Sequence, residues 1–212
     1  GERAGEVPGA VPGEGAREAL LPEVVPAPLV PSPPLANNFQ ALPDNLAVIP
    51  PDTFGAAGPN HLLVTLNSQV RVSDRAGAPL VADRTLNGFW GAVGGGSGTF
   101  DPRSVYDPYA NRWLVVSCDD ARAASSSILL AVSQTGDPTG AFSAYSADVD
   151  PGDTLWADYP NVGFNSKWVV IQFNLFTFAG GFVRSEIYVI DRALLYTTPA
   201  SVPFTRFSDA MG

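Results

Sequence analysis

Three aspartates recur at matching places along the chain, each followed by a turn-forming residue: Asp52-Thr53, Asp101-Pro102 and Asp158-Tyr159-Pro160. They stand 49 and 57 positions apart, and the first large residue of an apolar run follows each at a distance of 10, 12 and 10 positions. Equivalent units would bring these carboxylates to one axis. Converging carboxylates repel one another unless a hard cation or a cationic ligand compensates them, and Ca²⁺, which prefers oxygen ligands, is the metal such a site would take. The competing reading gives each Asp a local task, accepting hydrogen bonds from the backbone N–H groups of its own turn.

The remaining chemistry-bearing residues are weaker candidates. Asp148-Val149-Asp150-Pro151-Gly152-Asp153 resembles half of a calcium loop, but its fifth and sixth positions are wrong and no Glu stands at the twelfth, so a solvated turn is expected. Cys118 precedes Asp119 and Asp120, whose charges disfavour a thiolate and make it a poor nucleophile. The segment Gly91 to Gly98 contains no Lys or Arg and no Gly-Lys-Ser/Thr, which points to a flexible loop between units rather than a phosphate cradle. Ser97 is followed by Gly98-Thr99, which breaks the Gly-x-Ser-x-Gly pattern. His61 is the only His, beside an apolar run, and is expected to be structural or exposed.

A glycosidase needs two carboxyl groups across a pocket. Glu186 is the only Glu beyond Glu23, so an acid and a base would have to come from the recurrent Asp set. Trp90, Trp156, Tyr159, Tyr106 and Tyr109 could stack on sugars or fill a core. The Ser-x-Asp-x-Gly-x-Thr-Trp boxes of sialidases are absent.

What must position these residues is a chain of 212 residues with 21 Gly and 20 Pro, too many for an all-helical protein. One Cys and one His exclude a Cys/His zinc site, a CxxC redox pair and an intrachain disulfide. A formal charge of -9 argues against nucleic acid as a partner. Residues 1–36 are rich in Pro, lack aromatics and carry five of the six Glu, which predicts an extended tether without a core of its own. No run reaches the ~18 apolar residues of a membrane span, and no Lys/Arg-led apolar stretch marks a signal peptide.

From Asn37 the apolar runs are short and bounded by turn residues: Leu62-Leu63-Val64, Trp113 to Val116, Ile128 to Val132, Trp168 to Ile171 and Ile187 to Ile190. These read as strands. A second run closes on Val70 to Arg75, Leu130 to Gln134 and Tyr188 to Arg192, and a third on Pro79 to Ala82, Ala141 to Tyr145 and Pro203 to Phe207. With a short strand at Val105-Tyr106 or Asn161 to Phe164, the pattern is about four antiparallel strands per unit at a period of roughly 50, that of a propeller blade. The predicted fold is therefore all-β and propeller-like, with about three blades near residues 50–97, 98–152 and 153–212.

The string from Pro50 to His61, Asp101-Pro102 with Tyr106-Asp107 and Asn111-Arg112-Trp113, the stretch from Ala131-Val132-Ser133 to Asp137-Pro138-Thr139-Gly140, and Asp158-Tyr159-Pro160 resemble a group of largely uncharacterised, secreted bacterial β-propeller proteins. The resemblance covers about Asn37 to Arg192 and implies a propeller and a secreted, extracellular or cell-surface location, with no established activity. Closure of a propeller needs at least four blades. Other polypeptides or copies of the chain are accordingly expected as partners that complete it. The function expected is that of a non-catalytic binding or assembly module, cation-stabilised through Asp52, Asp101 and Asp158 and with glycans as candidate ligands; a carbohydrate-active hydrolase using those Asp residues is the alternative.

Overall fold

Trp113-Leu114-Val115-Val116 is apolar without a break, whereas polar residues interrupt the run from Trp168 to Leu175 at Gln172 and Asn174. A strand buried on both faces reads continuously, and one with a single covered face alternates. A computed structural model of the protein, describing residues 34, 35, 37–94 and 96–209, bears this out. The chain divides between Ala36 and Asn37 into two units, and the architecture below is that of the second. The tether expected over residues 1–36 lies, apart from Pro34 and Leu35, outside the described residues.

Three four-stranded antiparallel sheets follow one another along the chain as propeller-like blades. The first holds β1 (Phe54–Ala57), β2 (His61–Thr65), β3 (Gln69–Asp74) and β4 (Arg84–Thr85), and is followed by helix α1 (Leu86–Ala92). The second holds β5 (Thr99–Asp107), β6 (Arg112–Asp119), β7 (Ser127–Ser133) and β8 (Phe142–Asp148). The third holds β9 (Leu155–Phe164), β10 (Trp168–Thr177), β11 (Phe182–Asp191) and β12 (Phe204–Ser208), with the short helix α2 (Arg192–Leu195) before its last strand. Strands pair in sequence order within each sheet, and the first strands are the inner ones, β5 lying against β1 on one side and β9 on the other.

The middle blade is the one covered twice. Leu114, Val116 and Cys118 of β6 join Ala157, Val169, Ile171, Phe173 and Tyr188 of the third blade in one core. Trp113 and Val115, one residue out of phase, face Leu63, Val70 and Val72 of the first blade and the α1 side chains in another. Burying each large apolar side chain in these layers stabilises the fold by about 1.5–3 kcal/mol. The far face of the first blade is covered by its own leader: Leu42 packs on Val64 and Leu66, Arg71 donates to the Ala41 carbonyl (2.8 Å) and Gln69 to that of Pro43 (3.2 Å). On the far face of the third blade Ile187 and Phe207 stay exposed.

Two expectations need correction. Pro79 to Ala82 forms no strand; Pro79 makes an isolated bridge with Ser73, and the fourth strand comes later, at Arg84–Thr85. Pro lacks the N–H that a ladder needs. The loop expected from Gly91 begins instead inside α1, whose start is capped by Thr85 accepting a hydrogen bond from the Gly88 N–H (2.9 Å). Leu86, Phe89 and Trp90, spaced at i, i+3 and i+4, drive one face of this helix into the core, and Trp90 Nε1 donates to Ser117 Oγ (3.0 Å).

The second and third blades are also locked electrostatically. Asp107, at the end of β5 and fully buried, accepts from Arg192 Nε (2.6 Å), Tyr196 OH (2.9 Å) and the Tyr109 N–H (2.9 Å). Burial works to raise its pKa, but these donors outweigh it and hold the carboxyl below the ordinary range. A depressed folded-state value contributes stability that is present above the unfolded value and lost as pH falls through the folded one. Replacing Asp107 by Ala should therefore cost about 3 kcal/mol, because Arg192 is left without its partner. Urea denaturation at neutral pH measures this, and the gap between the two proteins should narrow in strong acid.

Candidate functional site

The inner strands do not run straight to the axis. Asp52 (φ 44°), Asp101 (φ 51°) and Tyr159 (φ 56°) all adopt the left-handed region, sparsely populated by non-Gly residues. The register shifts on β5 between Phe100 and Arg103, and β9 is irregular opposite Gln172 to Asn174. The kinked residue stands two positions before the pairs Phe54–Thr65, Arg103–Val116 and Asn161–Gln172, so these three positions are structurally equivalent. The third unit thus departs from the sequence alignment: its equivalent of Asp52 and Asp101 is Tyr159, and Asp158 sits one residue early.

The kink turns a backbone N–H toward the preceding blade. The Asp101 N–H donates to Asn67 Oδ1 (2.6 Å) of the first blade, and the Tyr159 N–H donates to Asp101 Oδ2 (3.2 Å) of the second. Asn67 also donates through Nδ2 to Asp52 Oδ2 (2.6 Å) and to the Pro50 carbonyl (3.0 Å). Asn67 therefore ties two blades together, a role that its position just beyond a strand end did not reveal. Asp158 keeps the local task as well, its Oδ1 accepting from the Tyr159 N–H (2.9 Å).

The three carboxyl groups are brought together. Asp101 is in the middle: its Oδ2 shares the Tyr159 N–H with Asp158 Oδ1 (3.2 and 2.9 Å), and Asn67 bridges its N–H to Asp52 Oδ2 (2.6 Å each). Burial raises the pKa of Asp101, and the neighbouring Asp158 charge raises it further; Asp52 acts in the opposite sense. Asp52 is likewise raised, by burial first and then by Asp101. Two carboxyl groups held close together take up either a proton or a cation. The carboxyl groups run in file through Asp101, and among the described residues no three such side chains surround a single point as a metal ligand set.

Arg103 stands beside this file. Its guanidinium lies 5.0 Å from the centre of the Phe54 ring and 5.1 Å from that of Tyr159, and its Nε donates to the Pro160 carbonyl (3.2 Å). The positive charge is fixed by aromatic faces and works to lower the pKa of Asp52. Tyr159 is 54% exposed and Phe54 37%, so both rings reach solvent at the site's edge. Behind the carboxylates Cys118 is fully buried, and burial first, then the Asp101 and Asp158 charges, push its thiol well above the ordinary value. It is a core residue, not a nucleophile.

The other candidates lie elsewhere. Asp150 closes its own turn, accepting from Thr154 N (2.9 Å), Thr154 Oγ1 (2.8 Å) and Leu155 N (3.0 Å), while Asp148 accepts from Asp150 N (2.9 Å). His61 is half-buried at the far end of β2, 3.7 Å from Asp137. Glu186 is buried in the third blade between Arg184 and Arg206 and is removed from any role at the axis. Trp90 and Trp156 are core, and Tyr106 packs on Trp113 with ring centres 4.8 Å apart. Of the five aromatics considered for sugar stacking, Tyr159 alone belongs to this site.

The sequence matches no family model and no curated protein. Among solved structures, a GH43 endo-arabinanase from Bacillus licheniformis is similar over 66% of this chain and 52% of that one, at 10% identity and a TM-score of 0.41. The chain spans about half the length of that structure.

A raised folded-state pKa means that the folded protein takes up protons more readily than the unfolded chain, so its contribution is largest in acid and is lost as pH rises through the folded value. Asn in place of Asp101 can still accept from the Tyr159 N–H but carries no charge. Asp101→Asn should thus raise the melting temperature at pH 7 by about 2 °C. The gain should shrink toward zero as pH falls toward the ordinary carboxylate range, which a series of thermal melts against pH will read.

Proposed function

We propose that the protein is a binding module and that the axial file Asp52–Asp101–Asp158 takes up a hard cation, Ca²⁺ foremost, in exchange for the shared proton. The observation that carries this reading is Asp101, which shares the Tyr159 N–H with Asp158 and is bridged to Asp52 by Asn67. Such crowding is unfavourable at neutral pH without a compensating charge, and a cation with oxygen preference supplies it. Uptake draws Asp52 and Asp158 around Asp101. In the exported setting that the sequence resemblance implies, a site with Kd of about 10⁻⁴ to 10⁻³ M would suffice.

A carbohydrate-active hydrolase is the second reading, supported by a carboxyl group with a raised pKa beside another carboxylate and an exposed Tyr159 ring. Against it stands the arrangement itself. Acid and base in glycosidases stand about 5–9.5 Å apart across a substrate, whereas Asp101 and Asp158 converge on a single N–H, that of Tyr159.

Thermal melts in CaCl₂ and in EDTA distinguish the two. Ca²⁺ should raise the melting temperature by several degrees, saturably, through mass action on the folded state. The pair Asp52→Asn and Asp158→Asn should remove the rise while leaving the protein folded. No turnover is expected on a panel of polysaccharides. A melting temperature indifferent to Ca²⁺, together with turnover lost on Asp101→Asn, would establish the hydrolase instead.

A further inference from the structure

Away from the axis, the first and second blades part to leave an open cleft of about 230 Å³. Its floor is the interblade core itself, where Leu63, Val72, Phe89 and Phe142 face the opening. The end of α1 at Ala92 and the turn before β8 form its walls. Apolar side chains of a core normally meet one another; here they meet an opening large enough for several carbon atoms.

Arg84 is the one charged residue in the lining. It stands on β4, opposite Val70, and is exposed, with no hydrogen bond or ion pair among the described residues. The nearby acids are already engaged. Asp83 is held by Nε and Nη2 of Arg71, at 2.8 and 2.6 Å, and Asp137 accepts from the Thr139 N–H (2.9 Å) and hydroxyl (2.7 Å) of its own turn. That hydroxyl is the other polar group of the wall, and it is spent on Asp137.

We infer that this cleft binds a small amphiphilic carboxylate, with its apolar body on Leu63, Phe89 and Phe142 and its carboxylate on Arg84. The chemistry selects the sign of the head group. A protein of net charge -9 attracts cations at large, but a cationic head here would face Arg84, and a neutral one would leave the guanidinium unpaired. An anion gains a charge-assisted, bidentate contact that is specific to this position. Size sets the body. Pockets for drug-sized ligands start at about 300 Å³, so this one suits a shorter aliphatic or single-ring acid.

Octanoate is the probe, and calorimetric titration into the full chain is the measurement. Octanoate should bind at one site with Kd of about 0.1–1 mM, and 1-octanol at least tenfold more weakly. Arg84→Gln, an exposed substitution, should bring octanoate down to the level of octanol. Ala92→Phe, which fills the cleft from the helix end, should abolish binding of both; thermal melts establish that each variant is folded, and Arg84→Gln alone decides the matter if the second variant is not. Octanoate that fails to bind, that binds no better than octanol, or that binds Arg84→Gln unchanged would overturn the inference.

Discussion

The blades are joined at the axis by a hydrogen bond that exists only because one inner-strand residue in each blade adopts a left-handed backbone. That conformation costs free energy in a non-Gly residue, and what it gains is an N–H aimed sideways, out of its own sheet and into the preceding blade. Asn67 receives the one from Asp101, and Asp101 receives the one from Tyr159. Once Asp101 serves as an acceptor for the third blade, its carboxyl must sit at the axis, half-buried and within reach of Asp52 and Asp158. The crowded carboxyl groups are a consequence of how the blades are fastened, and the raised pKa of Asp101 follows from that burial and crowding.

The rest of the architecture keeps this junction in place. Two apolar layers on the faces of the middle blade hold the sheets at their separation, and Asp107 with Arg192 pins the second to the third away from the axis. Arg103, clamped by Phe54 and Tyr159, brings one positive charge near the acidic file without entering an ion pair among the described residues. A site of three carboxyl groups beside one guanidinium retains a net negative charge, which favours the cation proposed there, whereas Arg84, the one charged residue lining the cleft, favours the proposed anion.

Much of the fold is legible in the sequence because β-strands covered on both faces, such as Trp113 to Val116, and on one face, such as Ile171 to Leu175, leave different apolar rhythms. The recurrence of Asp before a turn marks the blade spacing. What escaped has identifiable causes. Helix α1 is only 7 residues long, with Gly at 88 and 91, so its i, i+3, i+4 apolar set was too brief to stand out against the glycines. The offset of Asp158 is invisible in the count because the three blades differ in how their inner strands bulge, and only the pairing register exposes Tyr159 as the true equivalent. Asn67, Arg103, Asp107 and Arg192 act through partners far away in the chain, and nothing in their neighbours announces it; Arg192 opens helix α2, and its side chain crosses to another blade.

The central claim is that the Asp101 carboxyl is held above the ordinary range by burial and by the carboxylate that the next blade brings beside it. Carbon-13 NMR of the aspartate side-chain carboxyls, followed against pH in the intact protein, tests it directly. The account predicts that the Asp101 resonance titrates above the ordinary carboxylate range and broadly, that its titration shifts when Asp158 is replaced by Asn, and that Ca²⁺ moves it at constant pH. An Asp101 carboxyl that titrates with a single ordinary pKa, unmoved by Asp158→Asn and by Ca²⁺, would contradict it.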